Sequence, residues 1–263
     1  QQTADFPAVA MVVMPNGYGI CTGTFISPRA VLTAAHCTSA DGLYSVYTSF
    51  GWHQTSVKEK LGPGTVYDPN DIALLVFDHD VADPVRGRVV PLGGQPSLGA
   101  DIRIVGFGCN DLSAKTGAGV KRTGTNRVFK ISSFLELVST PNQRLLASQA
   151  SSRILGPENQ AGSCFGDSGG PMFQTQDGIW RLTGITHGGG WTTDGKIRSL
   201  YVNLNRQDND AFLRDIDSEY SLHLFDGCWT SADVDACGPS SAQFKIFTFL
   251  EVLVLKVLSW FHF

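Results

Sequence analysis

Apolar residues in this chain come in short runs broken by glycine, proline and asparagine, not in long helical stripes. The first run, Ala8-Val9-Ala10-Met11-Val12-Val13-Met14, closes at Pro15-Asn16-Gly17 and reads as a buried strand followed by a turn. A second strand is expected over 20–26 and a third from Ala30 to Thr33, with Ser27-Pro28-Arg29 turning the chain between them. Tyr44-Ser45-Val46-Tyr47 reads as a strand. The segment 57–68 holds charges and Gly62-Pro63-Gly64, so it reads as a surface loop without the dense acidic cluster of a calcium loop. Ile72 to Phe77 is another apolar run. Pro and Gly crowd 81–101, the best place for a linker between two β units. Ile102–Phe107 is then a strand and 111–126 a polar loop. Strands follow at 127–138, 144–149, 153–155, 171–174, 179–186 and 199–204. Helical spacing governs Asp208 to Tyr220, where Phe212, Leu213 and Ile216 share a face.

Composition fits that pattern. Only 17% of the 263 residues are charged, whereas 29 are glycine, which favours short strands and tight turns. The net charge of -4, with no basic block, excludes nucleic acid as the expected partner. None of the 6 cysteines forms a Cys-x-x-Cys pair, so zinc and thioredoxin-like chemistry are disfavoured. An even number of cysteines in such a chain points to disulfides and an oxidising compartment. No export signal stands at Gln1; an exported chain would already have lost it.

One stretch carries nucleophile chemistry. In Gly162-Ser163-Cys164-Phe165-Gly166-Asp167-Ser168-Gly169-Gly170-Pro171, an acid precedes Ser168 and two glycines follow it. A nucleophilic serine needs backbone N–H donors for the oxyanion, and it needs a base. His36, in Ala34-Ala35-His36-Cys37, is a candidate base; a lone histidine is more often a core or surface residue, but this one ends a strand beside Cys37. Bridging Cys21 to Cys37 would close a short loop worth about 3 kcal/mol and pin His36. Asp71, ahead of Ile72-Ala73-Leu74-Leu75, is either a turn residue or a carboxylate held at the buried end of a strand to orient an imidazole.

His, Asp and Ser in this order, in these three motifs, resemble the chymotrypsin/trypsin family of serine endopeptidases over roughly residues 6–220. The resemblance implies an all-β fold of two antiparallel six-stranded β-barrels with a C-terminal helix. The peptidase domain would cover 1–220, with one barrel over about 8–92, the other over about 100–205 and the helix over about 208–220. It implies that Ser168 attacks the scissile carbonyl, His36 shuttles the proton, and Asp71 fixes the His36 tautomer. The N–H groups of Gly166 and Ser168 would form the oxyanion hole, with no cofactor or metal. Partners would be protein or peptide substrates and proteinaceous inhibitors, in a secreted, extracellular or periplasmic setting, after activation of a zymogen.

The departures matter. Gly162 stands where a trypsin-like enzyme carries the aspartate that meets Arg or Lys, so basic specificity is disfavoured. Gly162, Ser163 and Gly189 would leave an open pocket for apolar or aromatic side chains; His187, on the strand lining the substrate, offers a second option, an acidic side chain. A structural His187 bonded to a backbone carbonyl is an equal expectation. The resemblance also suggests the pairs Cys21–Cys37, Cys109–Cys164 and Cys228–Cys237, the last closing an extension over 221–240. Asp167 would be buried and need a partner. In the family that partner is a new N-terminal amine, but few residues precede Phe6-Pro7 here, so either a longer chain supplies it or another group does. The apolar tail, 241–263, reads as a membrane anchor, an interfacial helix or a read-through extension; Lys245, Glu251 and Lys256 interrupt it.

Two other classes fit the sequence less well. A catalytically silent binding protein on the same fold usually lacks one triad member, and all three are present. An α/β-hydrolase esterase or lipase places its serine before its acid and histidine, the reverse of the order here.

Overall fold

The computed structural model describes residues 2–225 apart from 18, 66, 112–114, 140–160, 192 and 194–196. The expected strands at 144–149 and 153–155, the Cys228–Cys237 pair, the 221–240 extension beyond Phe225 and the 241–263 tail lie outside the described residues.

The first sheet is built from β1 (Val9–Val13), β2 (Ile20–Ser27), β3 (Ala30–Thr33), β4 (Tyr44–Thr48), β5 (Gly51–Thr55), β6 (Val57–Lys60) and β7 (Ala73–Val76). Their order is β5-β4-β1-β2-β3-β7-β6, all antiparallel. The two edge strands, β5 and β6, are consecutive in the chain and separated by Ser56 alone. Counted as one bent strand, they bring the seven strands to the six expected and curl the sheet toward a barrel. The second sheet repeats the device. It holds β8 (Asp101–Gly106), β9 (Arg122–Arg127), β10 (Lys130–Ile131), β11 (Phe134–Ser139), β12 (Pro171–Gln176), β13 (Ile179–Trp191) and β14 (Ile197–Asn203). The order β10-β11-β14-β13-β12-β8-β9 again puts two chain neighbours, β9 and β10, at opposite edges.

Two loop expectations are corrected. Val57–Lys60 is strand β6, and Arg122–Arg127 is strand β9. Both segments are polar, because each pairs along one side only and presents much of its surface to water. The 81–101 segment does connect the two sheets, and it is stitched to both: Val90 N–H donates to Phe25 O (3.0 Å) and Leu182 N–H to Pro91 O (2.9 Å).

Apolar residues fill three places. Phe25, Val31, Tyr44, Val46 and Leu75 fill the first barrel; Ile102, Leu135, Leu137, Met172 and Tyr201 fill the second. A third cluster joins them, with Leu32, Ile72 and Leu74 from the first sheet against Phe173, Leu182, Ile185 and Val202 from the second. Helix α1 (Gln207–Tyr220) adds Leu213 and Ile216 to this seam, as its apolar stripe requires. Its Asn209 side chain is buried and donates to Pro69 O (3.0 Å) and Asn203 O (2.8 Å). The helix thereby clamps the approach to Asp71 against the end of β14.

Candidate active site

After β3 the chain tightens into a single 3-10 turn, Ala35–Thr38, with Ala35, Cys37 and Thr38 buried and His36 half-exposed. The Cys21–Cys37 disulfide ties that turn to β2. Gly64 lies directly on it: Gly64 has φ +72°, and a Cβ there would stand 2.3 Å from the His36 backbone nitrogen. Only glycine permits that approach.

Asp71 sits just before β7 with no exposure. Its Oδ1 accepts the His36 backbone N–H (2.8 Å), and its Oδ2 lies 2.7 Å from His36 Nδ1. Burial is the strongest influence on this carboxyl and pushes its pKa up, but the hydrogen bonds from His187 and His36 outweigh it and hold the group at about 2. Asp71 is therefore ionised, and His36 carries its proton on Nδ1, leaving Nε2 as the basic nitrogen. No hydrogen bond joins that nitrogen to Ser168 Oγ among the described residues, a common state in the absence of substrate. The Ser168 backbone nonetheless lies against the residue that follows His36, with Cys37 Sγ 3.7 Å from the Ser168 carbonyl oxygen.

The Ser168 loop comes from the second barrel and is gripped by the first. Thr22 on β2 donates its N–H to Ser168 O (2.8 Å) and its Oγ1 hydroxyl to Gly166 O (2.8 Å). Gly169 N–H donates to Thr186 O (2.7 Å) on β13. Gly169 has φ +76°, and a Cβ there would stand 2.1 Å from Thr33 Oγ1. The Cys109–Cys164 disulfide ties the loop to the end of β8. Neither the Gly166 nor the Ser168 N–H donates to another group among the described residues. Two unspent backbone donors flanking Asp167, one of them the serine's own, are of the kind an oxyanion hole uses.

Asp167 is satisfied within the chain. Its Oδ1 accepts from Gly108 N–H (2.7 Å) and its Oδ2 from Cys164 N–H (2.8 Å). Burial raises its pKa to about 6, against the pull of those two donors and of the Arg122 charge. Arg122 is itself buried, and its Nη1 donates to the carbonyls of Gly108 (2.9 Å), Gly117 (2.7 Å) and Val120 (3.1 Å). Sequence reasoning missed Arg122; a lone arginine in a polar stretch carries no signal of it.

Three of the four expected substrate residues are brought together. Ser163 N–H donates to Ser199 Oγ (2.9 Å), Ser163 Oγ reaches Gly188 O (3.4 Å), and Gly189 pairs with Ser199 across β13 and β14. Gly162 lines a cavity of about 40 Å³ with Asp167, Arg122, Thr186 and Tyr201. His187 is placed elsewhere. The β13–β14 register shifts between Thr186 and Gly188, leaving His187 as the unpaired residue of a bulge. Its Nδ1 lies 2.6 Å from Asp71 Oδ2, and its Nε2 accepts the Tyr67 N–H (3.2 Å). The partners of His187 are thus a carboxylate and a backbone N–H, not the backbone carbonyl expected of a structural histidine; for an acid-binding role it would have to release Tyr67.

The ring nitrogens of His36 and His187 and the Asp71 carboxylate lie within 4.8 Å of one another, a spacing open to a small cation. Protons on both Nδ1 atoms account for the same arrangement. The neighbouring group Cys21, His36 and Cys37 has its sulfurs committed to the disulfide.

Comparison with known proteins agrees with the fold. Mouse neutrophil elastase is 27% identical over 180 residues, covering 64% of this chain and 63% of that protein. Snake venom serine proteinase 14 of Crotalus adamanteus is 32% identical over 179 residues, covering 62% and 66%. The chain thus spans 63% and 66% of these two relatives. A solved Glu endopeptidase superposes with a TM-score of 0.58 over 83% of this chain and 96% of that one; at 14% identity the likeness is one of fold. A family model described as Trypsin matches residues 1–209, and the chain belongs to that family.

Proposed function

We propose that this chain is the catalytic domain of a secreted serine endopeptidase that cleaves peptide bonds through an acyl-enzyme. The observation that carries this reading is the buried Asp71 carboxylate on Nδ1 of His36, whose chain neighbour Cys37 is held in the disulfide with Cys21. Ser168 Oγ attacks the scissile carbonyl as His36 Nε2 takes its proton. The imidazolium, stabilised by Asp71, returns that proton to the leaving amine. Water then repeats the sequence on the acyl-enzyme. The N–H groups of Gly166 and Ser168 hold the oxyanion, each worth about 2.7–4 kcal/mol in the transition state. Disulfides at Cys21–Cys37 and Cys109–Cys164 support an extracellular setting.

The P1 side chain in this reading is apolar or aromatic. Gly162 supplies no carboxylate for Arg or Lys, and both His187 nitrogens are engaged away from the Gly162–Ser163–Gly189 side. The test is a peptide library varied at P1, cleaved by the wild type and by Ser168→Ala. Cleavage after Phe, Leu or Tyr, lost in Ser168→Ala, is the expected result. A preference for Arg/Lys or for Glu/Asp would overturn the specificity. No cleavage at all would favour a silent binding protein on this fold.

A further inference from the structure

The structure places a second histidine on the carboxylate of the triad, and we propose that His187 is a positioning residue for the reaction. It holds Asp71 and, through Asp71, the working tautomer of His36. This rests on reading His36, Asp71 and Ser168 as a working triad.

The tautomer of His187 follows from its two partners. Tyr67 N–H donates to Nε2, so that nitrogen holds a lone pair. The ring proton is then on Nδ1 and is donated to Asp71 Oδ2 at 2.6 Å. The side chain is only 9% exposed, and Phe134 stacks on its ring with centroids 5.1 Å apart and planes 29° from parallel. The His36 ring stands edge-on, 87° from the His187 plane at 6.1 Å. Among the described residues, the charged or titratable groups that meet His187 are Asp71 and His36; Phe134 from β11 is apolar, and Tyr67 presents its backbone N–H.

The consequence for His36 is twofold. Oδ2 is shared between two N–H donors, so its direction is set from both sides and Asp71 has little freedom to rotate. Sharing also spreads its negative charge, leaving less of it to stabilise the His36 imidazolium. His187 thus takes a share of the Asp71 charge in return for a fixed orientation. The Tyr67 N–H completes the chain: if Nε2 took a proton, that hydrogen bond would be lost.

The test is the rate at which a fluorophosphonate labels Ser168, measured from pH 4 to 9. His187→Phe keeps a ring on Phe134 but has no donor. His187→Asn loses the ring but can put an N–H where Nδ1–H stands. We expect His187→Phe to slow labelling at pH 7 at least tenfold and to move the acid limb to higher pH. His187→Asn should recover most of the rate and return the limb toward wild type. Wild-type rate and limb in His187→Phe would overturn the proposal. Equal slowing in both variants with an unmoved limb would also overturn it, as the mark of a packing role. A wild type that does not label fails the triad reading itself, a separate result. A readout that needs no variant is ¹⁵N NMR of histidine-labelled enzyme: a His187 proton on Nδ1 supports the proposal, and one on Nε2 contradicts it.

Discussion

The Nδ1 atoms of His36 and His187 converge on one oxygen, Asp71 Oδ2, at 2.7 and 2.6 Å. One histidine comes from the first barrel and the other from a bulge in the second, so the carboxylate is a joint between the barrels. Asp71→Asn puts amide hydrogens or a weaker acceptor where two N–H donors point. The expected outcome is a folded protein whose kcat falls by about 10⁴, the size expected when the histidine is held in the wrong tautomer. Steady-state kinetics on a P1-matched peptide check it.

The two buried aspartates should tilt stability in opposite directions. Asp71 is held at about 2, below its ordinary 3.8, so its contribution is present above pH 4 and is lost as pH falls toward 2. Asp167 is raised to about 6 from 3.8, so its contribution is present below pH 4 and is lost as pH rises through 6. The second effect amounts to about 3 kcal/mol. Urea unfolding of wild type and Asp167→Asn at pH 4, 5, 6 and 7 measures it. The stability advantage of the wild type should shrink across that range.

The Cys109–Cys164 disulfide spans 55 residues, and a loop of that length is worth about 4 kcal/mol in the chain-entropy account. The double variant Cys109→Ser, Cys164→Ser should lose about that much stability in chemical denaturation. It should also slow labelling of Ser168, because Cys164 N–H is one of the two donors holding Asp167.

Gly169→Ala should be more harmful than its size suggests. The backbone there has φ +76°, and the new methyl would meet Thr33 Oγ1 and the Thr22 carbonyl. Strained φ alone costs about 1–3 kcal/mol. Thermal melting should show a loss of at least that size, with labelling of Ser168 nearly abolished by displacement of the loop.

The three motifs of the proposed triad were legible in the chain because such chemistry demands particular side chains beside particular neighbours: Ser168 among glycines, His36 beside Cys37, Asp71 before a buried strand. The core strands were legible from their unbroken apolar runs. β6 and β9 were not, because edge strands bury one side weakly and look like loops. The side chain of His187 was not legible either, since a one-residue bulge decides which face it meets. Asp167 was recognised as needing a partner, but backbone N–H groups at Gly108 and Cys164 leave no mark in composition.

The central claim is that Ser168 is a nucleophile activated by His36 on Asp71. Reaction with a fluorophosphonate, followed by intact mass and peptide mapping, tests it most directly. One adduct per chain, on Ser168, absent from Ser168→Ala and slowed by orders of magnitude in His36→Ala, is the predicted result. An unmodified wild type, or an adduct that survives in Ser168→Ala, would contradict it.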